Sequence, residues 1–330
     1  MFKNRIFTIL FFYLIITSCN NEININAPYK ETTIVYGLLN VSDSVQYIKI
    51  NKAFLSEQSV FEVAKIKDSL YHPYKIEVIL TQVLNGVVLD RLALDTVNVK
   101  REEGTFAGPN QLVYRTKSGY KLNPLSECFL EIKRFDKNEV IAKGKTNVIG
   151  KFLLTNPPSQ IAFYQSPDYI TVPLNWVNPN GAVSYTIETY FKYIEVNKVT
   201  KEEVLKTIKW INVQGYRPTI AQASFGINAL AFYNAINSQV KPNPDVIRKV
   251  EPELEFRMYV ASTSFDEFLR LNNQSFGFNT TINNYSNVEG AVGVFSSRLT
   301  NSFFISLDNA SIEQLIDGPI TGNLGFQKKF

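Results

Sequence analysis

Cys19 is the residue whose position most directly indicates a covalent modification. It follows two basic residues, Lys3 and Arg5, and an apolar run over residues 6–16. That order is typical of a secretory signal peptide, whose apolar core is too short to cross a bilayer as a permanent helix. Thr17-Ser18 then leads directly into the cysteine, as in a bacterial lipobox, where the thiol is acylated and the cysteine becomes the first residue of the mature chain.

We therefore predict a lipoprotein signal peptide over residues 1–18 and a lipidated tether over residues 19–30. The alternative is an ordinary secretory signal followed by an accidental cysteine. No later apolar run is long enough to cross a membrane. Lipid on Cys19 is thus the expected attachment, and it would hold firmly because a bacterial lipoprotein carries more than one acyl chain.

The second cysteine, Cys128, is predicted to be a buried structural residue. It lies in an alternating stretch that places it on the same side as Leu130 and Ile132, as in a strand with one buried face. A nucleophilic cysteine needs a basic partner, and the one histidine of the chain, His72, lies in a turn-rich stretch.

Enzyme signatures are absent from the sequence. There is no phosphate-binding glycine loop, zinc-binding His-Glu-x-x-His motif, nucleophile elbow or acidic calcium loop. A single histidine removes most Ser/His and Cys/His arrangements and most zinc sites. We predict no catalytic residues, no cofactor and no metal site, and we expect a protein that is not an enzyme. A carboxylate pair for glycoside hydrolysis stays open, because sequence spacing does not fix spatial separation.

The charge balance argues against nucleic acid as a partner. Removing Lys3 and Arg5 from the 34 basic residues leaves 32, against 30 acidic residues. A nucleic-acid-binding protein is expected to carry a basic excess gathered on one face. The hydrophobic fraction of 45% is typical of a globular core, and the length after the signal suits two domains.

Residues 31–153 are predicted to form an antiparallel β-sandwich. Runs rich in β-branched and aromatic residues are separated by turn-forming residues. Asn85-Gly86 is a strong hairpin signal, and residues 136–138 separate a second pair of alternating runs. Several short strands at this spacing favour a sandwich.

Residues 154–330 are predicted to form a second β domain with a few added helices, so that the last third is α+β and the whole chain is mainly β. Pro157-Pro158 marks the boundary, because two prolines interrupt a strand ladder. Helical spacing or a capping box predicts helices over residues 225–240, 264–271 and 311–316. No internal repeat is present.

Two stretches of this second domain resemble a fibronectin type III domain. Residues 170–176 and 183–187, separated by a turn, are similar to its second and third strands. The resemblance implies an immunoglobulin-like sandwich in which Trp176 and Tyr185 occupy core positions.

Two further stretches resemble a family of Bacteroidetes-type outer-membrane lipoproteins of unknown function. They are residues 35–55, which begin Val-Tyr-Gly-Leu-Leu-Asn, and residues 287–298, which read Asn-Val-Glu-Gly-Ala-Val-Gly-Val-Phe-Ser-Ser-Arg. The resemblance implies a lipoprotein anchored in the outer membrane, often encoded near TonB-dependent receptors, with no established activity.

The second of these stretches holds the candidate contact edge. Gly290 and Gly293 could permit a bulge or a close backbone approach, and Arg298 could supply a fixed cation. A purely structural role for the three residues is the alternative, and it is the one we favour.

Three Asp-Ser/Thr-apolar triplets resemble O-glycosylation acceptors of Bacteroidetes-type envelope proteins. Their hydroxyl residues are Ser44, Ser69 and Thr96. Asp-Ser is also a good turn starter, so a structural role is equally compatible with the pattern. A glycan at any of them would place that loop in solvent.

The sequence leads to one hypothesis with two alternatives. The first is a lipid-anchored binding or accessory module beside a TonB-dependent receptor, facing the periplasm or the cell surface. The second is a structural or adhesion spacer, and the third is a hydrolase. A deep pocket with converging polar groups would favour binding, flat charged faces would favour the spacer, and a carboxylate pair in the pocket would favour hydrolysis.

Overall fold

The computed structural model describes residues 31–53, 59–101, 108–273 and 285–328. The predicted signal peptide, the tether and Cys19 lie outside the described residues. No helix in these ranges is long and apolar enough to cross a membrane.

Strands dominate the described chain and helices are few, as the sequence predicts. The strands are β1 (Thr33–Leu39), β2 (Tyr47–Lys52), β3 (Ile76–Leu84), β4 (Val87–Ala93), β5 (Asp95–Lys100), β6 (Asn110–Arg115), β7 (Glu127–Arg134), β8 (Glu139–Asn147), β9 (Leu154–Asn156), β10 (Gln160–Ile161), β11 (Tyr164–Gln165), β12 (Asp168–Tyr169), β13 (Thr171–Val177), β14 (Ser184–Asn197), β15 (Glu203–Tyr216), β16 (Gln222–Asn228), β17 (Val246–Ala261), β18 (Val288–Glu289), β19 (Ala291–Leu307) and β20 (Phe326–Lys328). The α-helices are α1 (Val60–Ala64), α2 (Lys67–Leu70), α3 (Ala229–Gln239), α4 (Thr263–Asn273) and α5 (Asn309–Asp317).

The first sandwich packs two sheets over one apolar core. One sheet has the order β18-β8-β7-β3-β4, and the other contains β1-β2-β6-β5. Alternate residues of each strand point inward because successive side chains leave a strand on opposite faces. Val35, Ile48, Leu80, Cys128 and Leu130 belong to this core and are at most 2% exposed.

Both predicted hairpins of the first sandwich are confirmed. β3 and β4 are joined at Asn85-Gly86, where both residues have positive φ angles of 50° and 81°. That is the conformation of the tight turn that Asn-Gly favours, because its twist matches that of the flanking strands. β7 and β8 are joined over residues 135–138, and Asn138 also has a positive φ.

The second sandwich places a three-stranded sheet, β16-β13-β9, against four strands of the largest sheet, β15-β14-β17-β19. Trp176 of β13 and Tyr185 of β14 are both fully buried, and their ring centroids lie 5.0 Å apart across the core. The prediction that these two residues occupy core positions is confirmed, as is a β-sandwich with a few helices.

One strand, β19, belongs to both sandwiches. Its first half pairs in parallel with β1, and its second half, from Arg298 onward, pairs antiparallel with β17. β18, just before it, pairs with β8. Val288 and Phe295 therefore lie in the core of the first sandwich, although they come near the end of the chain. The largest sheet runs through both sandwiches as a result.

The helices predicted in the last third of the chain are present, but their first and last residues differ from the predicted ones. α4 and α5 lie where a capping box and helical spacing predict them. The helix predicted over residues 225–240 begins at Ala229, so the prediction was wrong for residues 225–228, which extend β16 beside β13. Asn228 instead caps α3, because its side chain accepts a hydrogen bond from the Ala231 amide.

Candidate functional site

A groove of about 630 Å³ lies on the outer face of the second sandwich. Its floor is the surface of β14, β17 and β19, and one wall is formed by α4, which contributes Phe265 and Leu269. The end of β15 and Arg217 form the opposite side. The groove therefore lies between a rigid sheet and a helix that follows directly from one of its strands.

The polar floor of the groove follows from strand alternation. Tyr185 and Ile187 of β14 point into the core, so Ser184, Thr186 and Glu188 point to the outer face. Tyr259 of β17 and Thr300 of β19 join them. Hydroxyl groups from three adjacent strands thus line the floor, and each can donate and accept hydrogen bonds.

Asp266 is a buried carboxylate in the wall of the groove, and two arginines bind it. It is 5% exposed and lies in the first turn of α4. Arg217 lies 2.7 Å from one carboxylate oxygen, and Arg270 lies 3.3 Å from the other. Burial raises the pKa of Asp266, but hydrogen bonds from Arg217 and Ser184 outweigh burial and hold the pKa below the ordinary aspartate value. Asp266 therefore stays ionised.

Asp266→Asn should lower the free energy of unfolding by about 1 to 2 kcal/mol at pH 7, because it removes charged hydrogen bonds to arginines that stay partly solvated. The pKa of Asp266 is lower in the folded protein than in the unfolded one, so the ionised carboxylate stabilises the fold. This stabilisation is complete above the pKa of the unfolded state and is lost as the pH falls through the pKa of the folded state. The gap between wild type and variant should therefore close below about pH 4. Urea unfolding from pH 7 to pH 3 measures it, with the exposed Asp168→Asn as control. A gap that stays constant with pH would contradict the assignment.

Glu188 is the second buried carboxylate of the groove, at 6% exposed. Lys209 lies 2.7 Å from one of its oxygens, and the Tyr190 hydroxyl donates to the other at 2.6 Å. Burial raises the pKa of Glu188, but the hydrogen bonds from Lys209 and Tyr190 outweigh burial, and the pKa lies below the ordinary glutamate value. The Arg257 guanidinium lies over the Tyr190 ring, 4.3 Å from its centroid, and extends this polar network along the sheet.

Arg298, singled out from the sequence, lines the groove. It is exposed at the start of the second half of β19, opposite Ala261 of β17. Within the part of the chain that the structure describes, the Arg298 side chain makes no hydrogen bond or ion pair.

Gly290 and Gly293 lie away from the groove, in the first sandwich. Both have positive φ angles, 75° and 127°. A Cβ at Gly290 would lie 2.4 Å from the Ile141 carbonyl oxygen, and one at Gly293 would lie 2.0 Å from that of Val35. The close backbone approach predicted for these glycines is therefore present, and the backbone they admit is the chain's own. The structure does not bring them together with Arg298.

The three candidate glycosylation residues occupy different settings. Ser44 lies exposed in the turn before β2, and Thr96 lies exposed on β5. Ser69 lies in α2, where its hydroxyl donates to the Val63 and Ile66 carbonyl oxygens, both at 2.7 Å. Ser44 and Thr96 thus present their side chains to solvent, whereas the Ser69 hydroxyl is engaged within the fold.

Cys128 is fully buried on β7, which confirms its predicted place in the core. Burial raises the pKa of the thiol to about 12. We expect Cys128 to resist iodoacetamide at pH 8 until the protein unfolds, because almost no thiolate forms and the sulfur is covered. Peptide mapping by mass spectrometry measures the label, with a urea-unfolded sample as the positive control. Cys128→Ala should cost about 1 kcal/mol. Rapid labelling of the folded protein would show the prediction to be wrong.

The single histidine takes part in a local cluster far from the groove in sequence. The His72 Nδ1 atom lies 2.7 Å from a Glu31 carboxylate oxygen, which also accepts a hydrogen bond from the Tyr74 hydroxyl. This cluster joins Glu31, just before β1, to the segment that leads into β3. Among the described residues, no three His, Cys, Asp or Glu side chains are grouped so that they could hold a metal ion.

Sequence reasoning identified Arg298 but missed the other charged residues of the groove. Asp266 entered only as part of a helix-capping pattern, and Glu188 and Arg217 did not stand out. The alternation of Ser184, Thr186 and Glu188 with core residues is the available signal, but polar residues on the outer face of a strand are ordinary. Only the fold shows that a helix closes over that face.

Comparison with models of protein families gives no match, and no curated protein matches the chain. Among solved structures, the C-terminal globular domain of an oligosaccharyltransferase from Pyrococcus abyssi aligns with 71% of this chain and 50% of its own, at 9% identity and a TM-score of 0.23. The calcium-binding domain CBD12 of CALX1.1 aligns with 83% of this chain and 99% of its own, at 6% identity and a TM-score of 0.17. Both TM-scores are too low to carry an argument about function.

Proposed function

We propose that this protein is a lipid-anchored binding module of the bacterial cell envelope and that the groove under α4 is its ligand site. The carrying observation is the convergence of hydroxyl and guanidinium groups in one groove of about 630 Å³. That volume lies in the range of small-molecule sites, and a few placed polar groups provide orientation and specificity there. The sequence hypotheses make a deep pocket with converging polar groups the criterion for binding, and the converging polar groups of the groove support the proposal.

The chemistry of the groove favours binding over hydrolysis. A glycosidase needs one carboxylic acid that stays protonated to donate to the leaving group. Burial alone would raise the pKa of Glu188 and of Asp266, but cationic and hydroxyl partners outweigh it at both residues. Both carboxylates are therefore held ionised, and each is committed to its cations.

A structural or adhesion spacer is the second candidate. The continuous sheet through both sandwiches favours it, because β19 ties the two cores together and resists bending between them. A spacer function depends on the fold and not on the groove. A variant that fills the groove without changing the fold therefore separates the two candidates.

Thr300→Trp is such a variant, because Thr300 points into the groove from β19 and is half-buried. Thr81→Trp is the matched control, a half-buried strand threonine in the first sandwich. We propose to screen the purified lipidated protein against an array of polysaccharides, oligosaccharides and peptides. Ligand signal that is lost in Thr300→Trp and kept in Thr81→Trp, with equal melting temperatures, supports the binding module. Signal that survives groove filling would remove the groove from the proposal.

In this proposal, lipid on Cys19 anchors the protein in the outer membrane, beside a TonB-dependent receptor. Support comes from the lipobox and from the resemblance to envelope lipoproteins. Lipid confines the chain to the membrane plane and raises its effective concentration beside a receptor, so a modest interface suffices for association. The module can face the periplasm or the cell surface.

Cys19→Ala should abolish lipid attachment, because it removes the thiol that is acylated and no apolar span follows the signal peptide. We expect a soluble or unprocessed precursor, loss of metabolic labelling by a fatty-acid probe, and loss of receptor co-purification. Fractionation and in-gel detection of the probe measure this, with Cys128→Ala as the control that keeps the lipobox. Wild-type labelling of Cys19→Ala would end the lipoprotein proposal.

A further inference from the structure

The groove carries a surplus of positive charge. Its lining holds three guanidinium groups, from Arg217, Arg270 and Arg298, and two carboxylates, from Glu188 and Asp266. The surplus is larger than this balance suggests, because Lys209 at 2.7 Å already neutralises Glu188.

The ion pairs of these groups show which positive charge can bind an anionic ligand. Arg217 and Arg270 share a single buried carboxylate, Asp266, so neither guanidinium has an anion to itself. Arg298 has no anion among the described residues and is exposed. A planar guanidinium matches a carboxylate in a two-pronged hydrogen-bonded pair. The uncovered donor of the groove is therefore Arg298.

The number of cations without an anion distinguishes among ligands. Arg298 is the one arginine of the lining that has no carboxylate partner among the described residues, and this suits a ligand that presents one negative charge to it. A phosphate monoester carries about 1.5 to 2 negative charges at pH 7, whereas Arg298 supplies one positive charge, and the other two arginines of the lining are already bound to Asp266. A carboxylate is thus favoured over a phosphate.

The rest of the lining indicates what else the ligand carries. Hydroxyl groups of Thr186 and Thr300 lie on the floor and can both donate and accept, whereas those of Ser184 and Tyr259 already bond to Asp266 and Glu188. Such a surface complements a ligand rich in hydroxyl groups. The rings of Tyr259 and Phe265 add apolar area against which the carbon-bound face of a sugar ring can pack.

We propose that the groove binds an acidic saccharide, with the carboxylate of a uronic acid paired to Arg298 and the ring hydroxyls facing the polar floor. This inference rests on the proposed function of the groove as a ligand site. A peptide with a free carboxyl terminus presents the same charge without the hydroxyls, and it is a distinct outcome of the test.

The test is calorimetric titration of the lipidated protein with a galacturonic acid trimer and with its methyl ester, which keeps the hydroxyls and removes the charges. We expect the acid to bind at least tenfold more tightly than the ester, equivalent to 1.4 kcal/mol. Arg298→Ala should remove this preference, and Arg298→Lys should restore part of it, because lysine keeps the charge without the planar fork. Arg115→Ala, on β6 of the first sandwich, should leave the preference intact.

The failures are distinguishable. Equal binding of acid and ester, with no effect of Arg298→Ala, overturns the acidic-saccharide inference and keeps the binding module. Binding of a free tripeptide, but not its amide or the trimer, replaces the saccharide by a peptide. Failure of both acid and ester to bind overturns the inference, and the array with Thr300→Trp then decides the proposed function separately. Tight binding of the acid to Thr300→Trp overturns both.

Discussion

Phe295→Ala should lower the free energy of unfolding by about 3 to 5 kcal/mol, the typical cost of removing a fully buried phenylalanine. Phe295 comes late in the chain, yet it is 0% exposed in the core of the first sandwich. Its neighbours cannot fill the resulting cavity, because Gly37 and Gly144 have no side chains and lie directly against the ring. Loss of the Phe295 ring should therefore destabilise the first sandwich, although β19, which carries Phe295, also belongs to the second sandwich.

Two probes follow the two sandwiches separately in urea unfolding. Alkylation of Cys128 reports the first core, and the fluorescence of the two tryptophans, Trp176 and Trp210, reports the second. Because β19 belongs to both, we expect Phe295→Ala to shift both transitions to lower urea. Phe304→Ala is the control on the same strand, and as an exposed residue it should change stability by no more than about 0.5 kcal/mol. An unchanged Cys128 transition would contradict the assignment of Phe295 to the first core.

The parts of the fold that the sequence predicts are those set by neighbouring residues. Asn85-Gly86 specifies a turn because both residues tolerate the positive φ that the hairpin needs. Alternation places Cys128 on the buried face of β7 together with Leu130. The resemblance of two short stretches to fibronectin type III strands implies core positions for Trp176 and Tyr185, and both lie in the core. Each of these inferences needs only a few residues of context.

The parts that the sequence does not predict depend on contacts between distant residues. Nothing near Val35 indicates that it pairs with Gly293. β19 runs without a break from Ala291 through Leu307, because β17 beside it supplies partners from Glu253 to Ala261. The strand formed over residues 225–228 has the same origin, since pairing with β13 overrides helical propensity.

The residues of the candidate site also fall into two groups, those that the sequence indicates and those that only the fold brings together. Arg298 could be selected from the sequence because it closes a recognisable stretch. The ion pair of Asp266 with Arg217 joins residues 49 positions apart, and it exists only because α4 folds back over the sheet. Charge and hydroxyl content were visible in the sequence, but their convergence in one groove was not.

Gly293→Ala should be among the most destabilising single-methyl changes in the protein, with a cost of about 3 kcal/mol or more. The added Cβ would lie 2.0 Å from the Val35 carbonyl oxygen, far inside any contact distance, and alanine is strained at a φ of 127°. Relief requires β1 and β19 to separate, which breaks the parallel pairing that joins the chain's end to the first sandwich. Urea unfolding with Cys128 alkylation as the probe measures the loss.

Gly86→Ala separates the steric clash from the backbone strain. Gly86 also has a positive φ, 81°, but a Cβ there meets nothing within 4 Å. That substitution should cost only the strain of the left-handed region, about 1 to 2 kcal/mol. The difference between the two variants therefore measures the close approach of β19 to β1. If Gly293→Ala costs no more than Gly86→Ala, the two strands are not held together at Val35, and β19 does not tie the two sandwiches together as described.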